Sequence, residues 1–252
     1  MPETLFTGKH EIRLEEIPST NTYAQEILKE NMPEGTLVLA YKQSAGRGQK
    51  GNVWLTEAGL NLTFSLIFYP KFLQAKQVFL LSKITSIALR ETLVDFLPME
   101  ELAIKWPNDM LLNEKKVAGI LIENQLERSR IGSSVIGVGL NVNQASFPPE
   151  IQHKATSMFQ AKGEKFDTEA VLQAFLSRLE GLYLELKNQG STKIDQLYVR
   201  HLYGYQEELR FTTESGAFTG MIVGVDEIGR LAIAIGQELR YFDFKEISFL
   251  YN

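Results

Sequence analysis

The chain has no cysteine among its 252 residues, which excludes disulfides, thiolate nucleophiles and cysteine-ligated metals. Histidine is nearly as scarce. His10, His153 and His201 stand far apart and none forms an HExxH-type pair, so the sequence predicts no structural metal. Positive charge is not in excess: 26 Lys and Arg against 31 Asp and Glu leave a formal net charge of −5. That is the opposite of the basic face presented by a general nucleic-acid binder. The most apolar stretch, residues 78–97, is broken by Lys83, Arg90, Glu91 and Asp95, and reads as a buried amphipathic helix and not a membrane span. The N-terminus, MPETLFTGKHEIRLEEIP, lacks a basic start followed by an apolar run and so is not read as a secretory signal. Without export, Asn61-Leu62-Thr63 matches the glycosylation sequon by chance. These absences lead to the expectation of a cytoplasmic protein with neither a membrane nor a nucleic acid as partner.

What is present is ordinary globular composition, 44% hydrophobic and 23% charged, enough for a sizeable core. The length fits one main domain with a small appendage. Alternation predicts a strand over 11–17, and Pro18-Ser19-Thr20-Asn21 supplies cap residues for a helix to about Asn31. Strands are predicted over 36–42, 61–68 and 102–106, with a long helix from about Gln74 to Leu97 between the last two. Residues 110–113 and 117–123 flank the turn Asn113-Glu114-Lys115-Lys116 as a hairpin. A further apolar strand covers 135–142, with glycines that allow close approach to its backbone. Helical spacing at Val171, Leu172, Phe175, Leu179, Leu182 and Leu186 marks residues 168–188. From about Gly204 the pattern changes to five short strands, over 207–212, 218–225, 231–235, 239–242 and 247–250, which suggests a small barrel. The expected fold is α+β: a mixed β-sheet with flanking helices over 1–203, then a small β-barrel over 204–252.

The chemistry concentrates in a few segments. Gly46, Gly48 and Gly51 formally satisfy GxGxxG, but a tryptophan and a strand follow in place of a helix, and residue 71 is a lysine and not an acid. The dinucleotide reading therefore fails. The phosphate-loop pattern fails too, because Asn52 follows Gly51 where a lysine is required. A glycine loop remains that carries Lys42, Arg47 and Lys50, with no acid until Glu57. It reads either as a local anion site, in which backbone N–H groups and a forked guanidinium meet phosphate oxygens, or as a solvated hairpin tip. Lys105-Trp106-Pro107-Asn108-Asp109 packs a cation, an aromatic, a proline bend, an amide and an acid into what reads plainly as a capped strand end, and Lys116 reads plainly as a lysine snorkelling from a hairpin edge.

Taken in order, Ser19-Thr20-Asn21, GRGQKG at 46–51 with Trp54 after it, KWPND at 105–109, KVAGIL at 116–121 and GVGLNVN at 137–143 resemble the biotin protein ligases. The likeness runs from about residue 12 to the C-terminus, and five ordered motifs are far more specific than any one. It implies a class II synthetase-like catalytic domain of the biotin–lipoate ligase type with an SH3-like C-terminal barrel. It also implies an ATP-dependent ligase in which the biotin carboxylate attacks the α-phosphate of ATP, giving biotinyl-AMP. A lysine of a biotin carboxyl carrier protein then takes the biotin. Ser19, Thr20, Asn21 and Gln43 are implied to recognise the ureido head, with Gly46, Arg47, Gly48, Gln49, Lys116 and Gly119 completing the biotin site. Arg47, Gly48, Gln49, Trp54, Lys116 and Asn141 are implied around the adenylate, with Arg47 and Lys116 as the catalytic charges. Asp109 is implied either to orient Lys116 or to assist magnesium. Many relatives carry a second arginine where this chain has Gln49, which puts the grip on the adenylate phosphate in question. Some relatives also carry an N-terminal helix-turn-helix domain; the pattern here starts by residue 12, so no repressor role is expected, and the chain is expected to be a monomer or a homodimer. Two rivals remain: a lipoate ligase or acyltransferase of related fold, whose RRxSGGG-like segment is not found, and a non-enzymatic nucleotide or biotin sensor or DNA-binding regulator, which leaves Lys116 without a role and is opposed by the acidic charge balance.

Overall fold

The computed structural model describes residues 4–250, apart from the side chain of Lys50. Seven strands form a mixed sheet: β1 (Glu11–Ile17), β2 (Thr36–Gln43), β3 (Leu62–Phe68), β4 (Leu102–Lys105), β5 (Asp109–Leu112), β6 (Lys115–Glu127) and β7 (Arg130–Leu140). Their order is β1-β2-β3-β7-β6-β5-β4. β1 and β2 are parallel, and the other pairs antiparallel. A parallel pair needs a crossover, and helix α1 (Thr20–Ile27) provides it. Ser19 stands at the N-cap as expected, but its side chain makes no cap hydrogen bond.

β3 explains why its sequence is apolar at almost every position. Phe64, Leu66 and Phe68 enter the larger core with α2 (Phe79–Phe96) and α4 (Thr168–Gln189). Ile67 points the other way, into a smaller cluster with Ala24, Ile27, Val38 and Val135 beneath α1. A strand buried on both faces needs such a run and not an alternation. Inside the larger core Lys83 is buried, its ammonium 2.6 Å from Asp195 and over the rings of Phe79 and Tyr198. Asp195 lies on α5 (Thr192–Arg200), which, like the short α3 (Met158–Lys162), the sequence reading does not anticipate. The expected long helix starts later, at Phe79, after a short 3-10 turn at Ala75–Gln77.

Strands β8 (Glu208–Thr213), β9 (Gly216–Val225), β10 (Leu231–Ile235), β11 (Glu238–Phe242) and β12 (Ser248–Leu250) form a second, wholly antiparallel sheet, ordered β11-β10-β9-β8-β12. This arrangement is consistent with the SH3-like expectation. It packs on the first unit through Trp106, whose indole Nε1 donates to the Gly229 carbonyl at 2.9 Å, and through Phe211, Ile222 and Leu231, which join the larger core. Asn61, in the sequon, is buried and bridges Thr56, Gln144 and the backbone of Val142, so it is a structural residue.

One side chain of α4 ties down three successive residues of the N-terminal segment. The buried Glu180 carboxylate of α4 accepts hydrogen bonds from the backbone N–H groups of Leu5, Phe6 and Thr7. Burial alone pushes its pKa up, but these three donors outweigh that and hold it below the ordinary 4.5. A carboxylate whose folded pKa is depressed stabilises fully above its unfolded pKa and loses that contribution as pH falls through the folded value. Glu180→Ala is expected to lower unfolding free energy at neutral pH by about 1.5–3 kcal/mol, the scale of a hydrogen bond to a charged group. It should also flatten the acid side of the stability curve below about pH 4.5. Denaturant midpoints equal to wild type at both pH values would contradict this role.

Candidate active site

A cavity of about 220 Å³ opens beside the N-terminus of α1. Its floor is a stretch of sheet without side chains. Gly119 of β6 pairs with Gly139 of β7, and Gly137 lies two residues along the same strand, so all three share one face. Other residues of the chain fill the space. A Cβ on Gly139 would stand 2.3 Å from the Trp54 ring, and one on Gly137 would stand 2.0 Å from Asn21 Oδ1. The close approach expected along 135–142 is thus made in part by Trp54 and Asn21 themselves.

At one end of the cavity a buried polar chain runs from strand to helix to strand. The Thr20 backbone N–H donates to Gln43 Oε1 at 2.7 Å. The Ser65 hydroxyl lies 2.8 Å from Thr20 Oγ1 and donates to Asn21 Oδ1 at 2.6 Å. The Asn21 amide then donates to the Leu121 carbonyl and to Glu123 Oε2, at 3.1 and 2.9 Å. Asn21 thereby has its orientation set on both ends, since its oxygen and nitrogen face different partners.

The charged groups come from two other segments. Lys116 Nζ sits 2.6 Å from Asp109 Oδ1, in an ion pair that lacks the alignment of a hydrogen bond, and 5.5 Å from the centre of the Trp54 ring. The turn carrying Asp109 is held on β6 by Asn108, whose amide donates to the Ile120 carbonyl at 2.7 Å, and its Trp106–Pro107 peptide is cis. Burial lowers the pKa of the neighbouring Lys105, against the pull of Asp109. Arg47 reaches from the glycine loop to Glu123, with Nη2 at 2.7 Å from Oε1 and Nη1 at 3.2 Å from Oε2, and also meets Thr22 Oγ1.

Of the residues proposed from sequence, Ser19, Thr20, Asn21, Gln43, Arg47, Gly48, Gln49, Trp54, Asp109, Lys116 and Gly119 line this cavity. Two do not. Gly46 borders a shallower hollow on the other side of the loop, where a Cβ would strike the Trp54 carbonyl at 2.4 Å. Asn141 is buried away from the lining, its amide donating to the Thr156 carbonyl at 3.0 Å while its Oδ1 makes no hydrogen bond among the described residues. Trp54 Nε1 is likewise buried without a partner among the described residues. Lys42 belongs elsewhere: it lies on β2, paired with Glu16 at 3.0 Å. The side chain of Lys50 falls outside the described residues. Trp106 is buried in the larger core. Sequence reasoning missed Ser65 and Glu123, which carry no motif of their own, and Phe244, which the second sheet's segment brings to the cavity rim. It also assigned no partner to Gly137 and Gly139, although glycines two apart on a strand are a legible sign of a bare face.

The fold and site define an enzyme that holds a small ligand on a mixed sheet, with a polar end and two cations nearby. Residues 14–141 match the model of the Biotin/lipoate A/B protein ligase family. The bifunctional ligase/repressor BirA of Bacillus spizizenii is 39% identical over 235 residues, covering 92% of this chain and 71% of that protein. The biotin–[acetyl-CoA-carboxylase] ligase of Paracoccus denitrificans is 31% identical over 85% of this chain and 90% of its own length. The solved biotin protein ligase from Aquifex aeolicus in complex with biotin and ATP superposes with a TM-score of 0.81 at 28% identity, covering 97% of this chain and all of that one. The chain belongs to the Biotin/lipoate A/B protein ligase family.

The bare floor yields a direct test. The chain has two tryptophans, Trp54 and Trp106, so Trp106→Phe isolates the emission of Trp54. In that background Gly139→Ala is expected to push the indole off the sheet and shift its emission to the red. Unchanged emission would mean that Trp54 does not rest on Gly139.

Proposed function

We infer that this chain is a biotin protein ligase, which activates biotin with ATP and joins it to a lysine of a carrier protein. The observation that carries the reading is convergence: the polar N-terminus of α1, the Trp54 ring and both candidate cations, Arg47 and Lys116, line one cavity. Ser19, Thr20, Asn21 and Gln43 supply the mixed donors and acceptors that a buried urea requires. Gly119 stays with the biotin site as the point where Lys116 and the Trp54 ring come down to the floor, each 3.2 Å from where a Cβ would stand. Arg47 and Lys116 serve the other end, with Gly46, Gly48 and Gln49 shaping the loop around it. In the first step a biotin carboxylate oxygen attacks the α-phosphorus, the bond to the bridging oxygen breaks and pyrophosphate leaves. Two anions must meet, so offsetting their repulsion is the main electrostatic task. In the second step the carrier amine attacks the anhydride carbonyl, an amide forms and AMP leaves.

Trp54, with its unpaired buried Nε1, is assigned to the adenylate. Asn141 is kept as an adenine contact on the resemblance alone, since it lies behind the lining. Asp109 is the carboxylate among the described lining residues. One carboxylate suits magnesium, which takes its remaining ligands from water and nucleotide phosphates, so the residues fit an ion arriving with ATP. We assign catalysis to residues 1–203 and treat 204–252 as the appended barrel, whose Phe244 borders the cavity. The net charge of −5 favours a protein partner over a nucleic acid, and the family relationship to biotin–[acetyl-CoA-carboxylase] ligases makes a carboxylase carrier domain that partner. No helix of the described residues is long and apolar enough to cross a membrane; we assign the enzyme to the cytoplasm as the compartment that supplies both ATP and such a carrier.

Incubation with ATP, magnesium, biotin and a biotin carrier domain is expected to raise the carrier mass by one biotinyl group. Arg47→Ala and Lys116→Ala should each slow pyrophosphate release at least tenfold, because a charged hydrogen bond lost from a desolvated site costs about 1.5–3 kcal/mol. Exchange of pyrophosphate into ATP with lipoate but not biotin would replace the reading with the lipoate one. Near-normal release by either folded variant would remove that residue from the mechanism.

A further inference from the structure

Both cations of the cavity are matched by acids, Lys116 by Asp109 and Arg47 by Glu123. The two acids are placed differently. Asp109 lines the cavity, whereas Glu123 stands outside the lining, beside the hollow on the other side of the glycine loop. Arg47 borders both spaces. Its terminal nitrogens are committed on the Glu123 side, Nη1 and Nη2 to the two carboxylate oxygens and Nη1 also to Thr22. An anion at the cavity thus meets a guanidinium whose charge is already answered at 2.7 Å.

We propose that Glu123 is a positioning residue: it holds Arg47 on the outer side of the glycine loop and releases it to an anionic ligand, and so sets the affinity of the cavity for the charged end of its substrate. The inference rests on the ligase reading, since it takes the substrate carboxylate as the anion. Three features make the exchange feasible. The pair is exposed, with 44% of the Arg47 and 28% of the Glu123 side chain accessible, and exposed ion pairs are weak. Once Arg47 leaves, Glu123 keeps the Asn21 amide at 2.9 Å as a donor and has access to water, so its charge is not stranded. Arg47 is also carried by a segment with glycines on both sides of it, which lowers the barrier to swinging the backbone. A deeply buried pair would not exchange in this way, because removing one partner leaves an uncompensated charge.

The test compares binding of biotin with that of biotinamide, which lacks the charge, to wild type, Glu123→Gln, Arg47→Ala and the double variant. Because an exposed pair contributes at most about fivefold to an equilibrium, Glu123→Gln is expected to tighten biotin by about three- to fivefold. Biotinamide should be unaffected, and the gain should vanish in the Arg47→Ala background. A purely structural role through Asn21 would move biotin and biotinamide together, and that result would overturn the proposal. Weaker biotin binding by Glu123→Gln would overturn it also, by showing that the carboxylate holds Arg47 ready for the ligand. If Glu123→Gln does not fold, Glu123→Asp, which draws the carboxylate back by one methylene, should shift biotin in the same direction by less; no shift, or a loss, would count against the proposal. Failure of wild type to bind either compound would overturn the ligase reading and this inference with it, whereas binding without the predicted difference would overturn the inference alone.

Discussion

The site depends on the absence of side chains at three points of a sheet. Gly119, Gly137 and Gly139 bare one face of β6 and β7, and the N-terminal residues of α1 and the ring of Trp54 come down to the backbone there. The same two strands are ordinary on their other face, where Ile120, Ile136, Val138 and Leu140 fill the larger core. Strand periodicity thus lets one segment anchor the molecule and floor a cavity at once. The strands are held by their neighbours on both edges, so the floor is rigid, and precision in the ligand's surroundings follows from placing them on such elements.

From that floor the polar chemistry is layered outward. Ser65, fully buried on β3, orients Thr20 and Asn21; Asn21 reaches Glu123; and Glu123 reaches Arg47. One chain of contacts therefore connects the part of the cavity suited to a neutral polar head with the part suited to an anion. Lys116, on β6 itself, and Asp109, next to a turn tied to β6 through Asn108, approach from the opposite side. A ligand that spans both ends reads both sets of residues, which is how the site can bind a long molecule in one orientation.

Much of this was legible in the sequence, for reasons that can be named. Strands with near-alternation or a largely apolar run, such as 11–17 and 61–68, leave a trace, and the observed β1 and β3 follow it. Helix α5 leaves almost none, because it buries only Ile194 and Tyr198. The long β6–β7 hairpin leaves a sequence trace only in its apolar half, since its outer end, Gln125 to Arg130, is largely polar and turns through Arg128 at φ 58°. The motifs brought eleven of the proposed residues to one cavity, but they could not supply partners. Arg47 has no acid near it in sequence, because its partner Glu123 lies 76 residues on. Proximity in sequence groups Lys42 with the loop, but it lies on β2 and pairs with Glu16 of β1.

The most direct test of the central claim is the biotin affinity of Gly137→Ala, measured alongside its thermal stability. The added methyl meets Asn21 Oδ1 at 2.0 Å, so Asn21 must give up its bonds to Ser65 and Glu123, while the core face of β7 is untouched. The account predicts at least a tenfold loss of biotin affinity, the equivalent of about 1.4 kcal/mol, with folded structure retained. Wild-type affinity in a folded Gly137→Ala protein would contradict it, since the bare face of the sheet would then not be what places the binding residues.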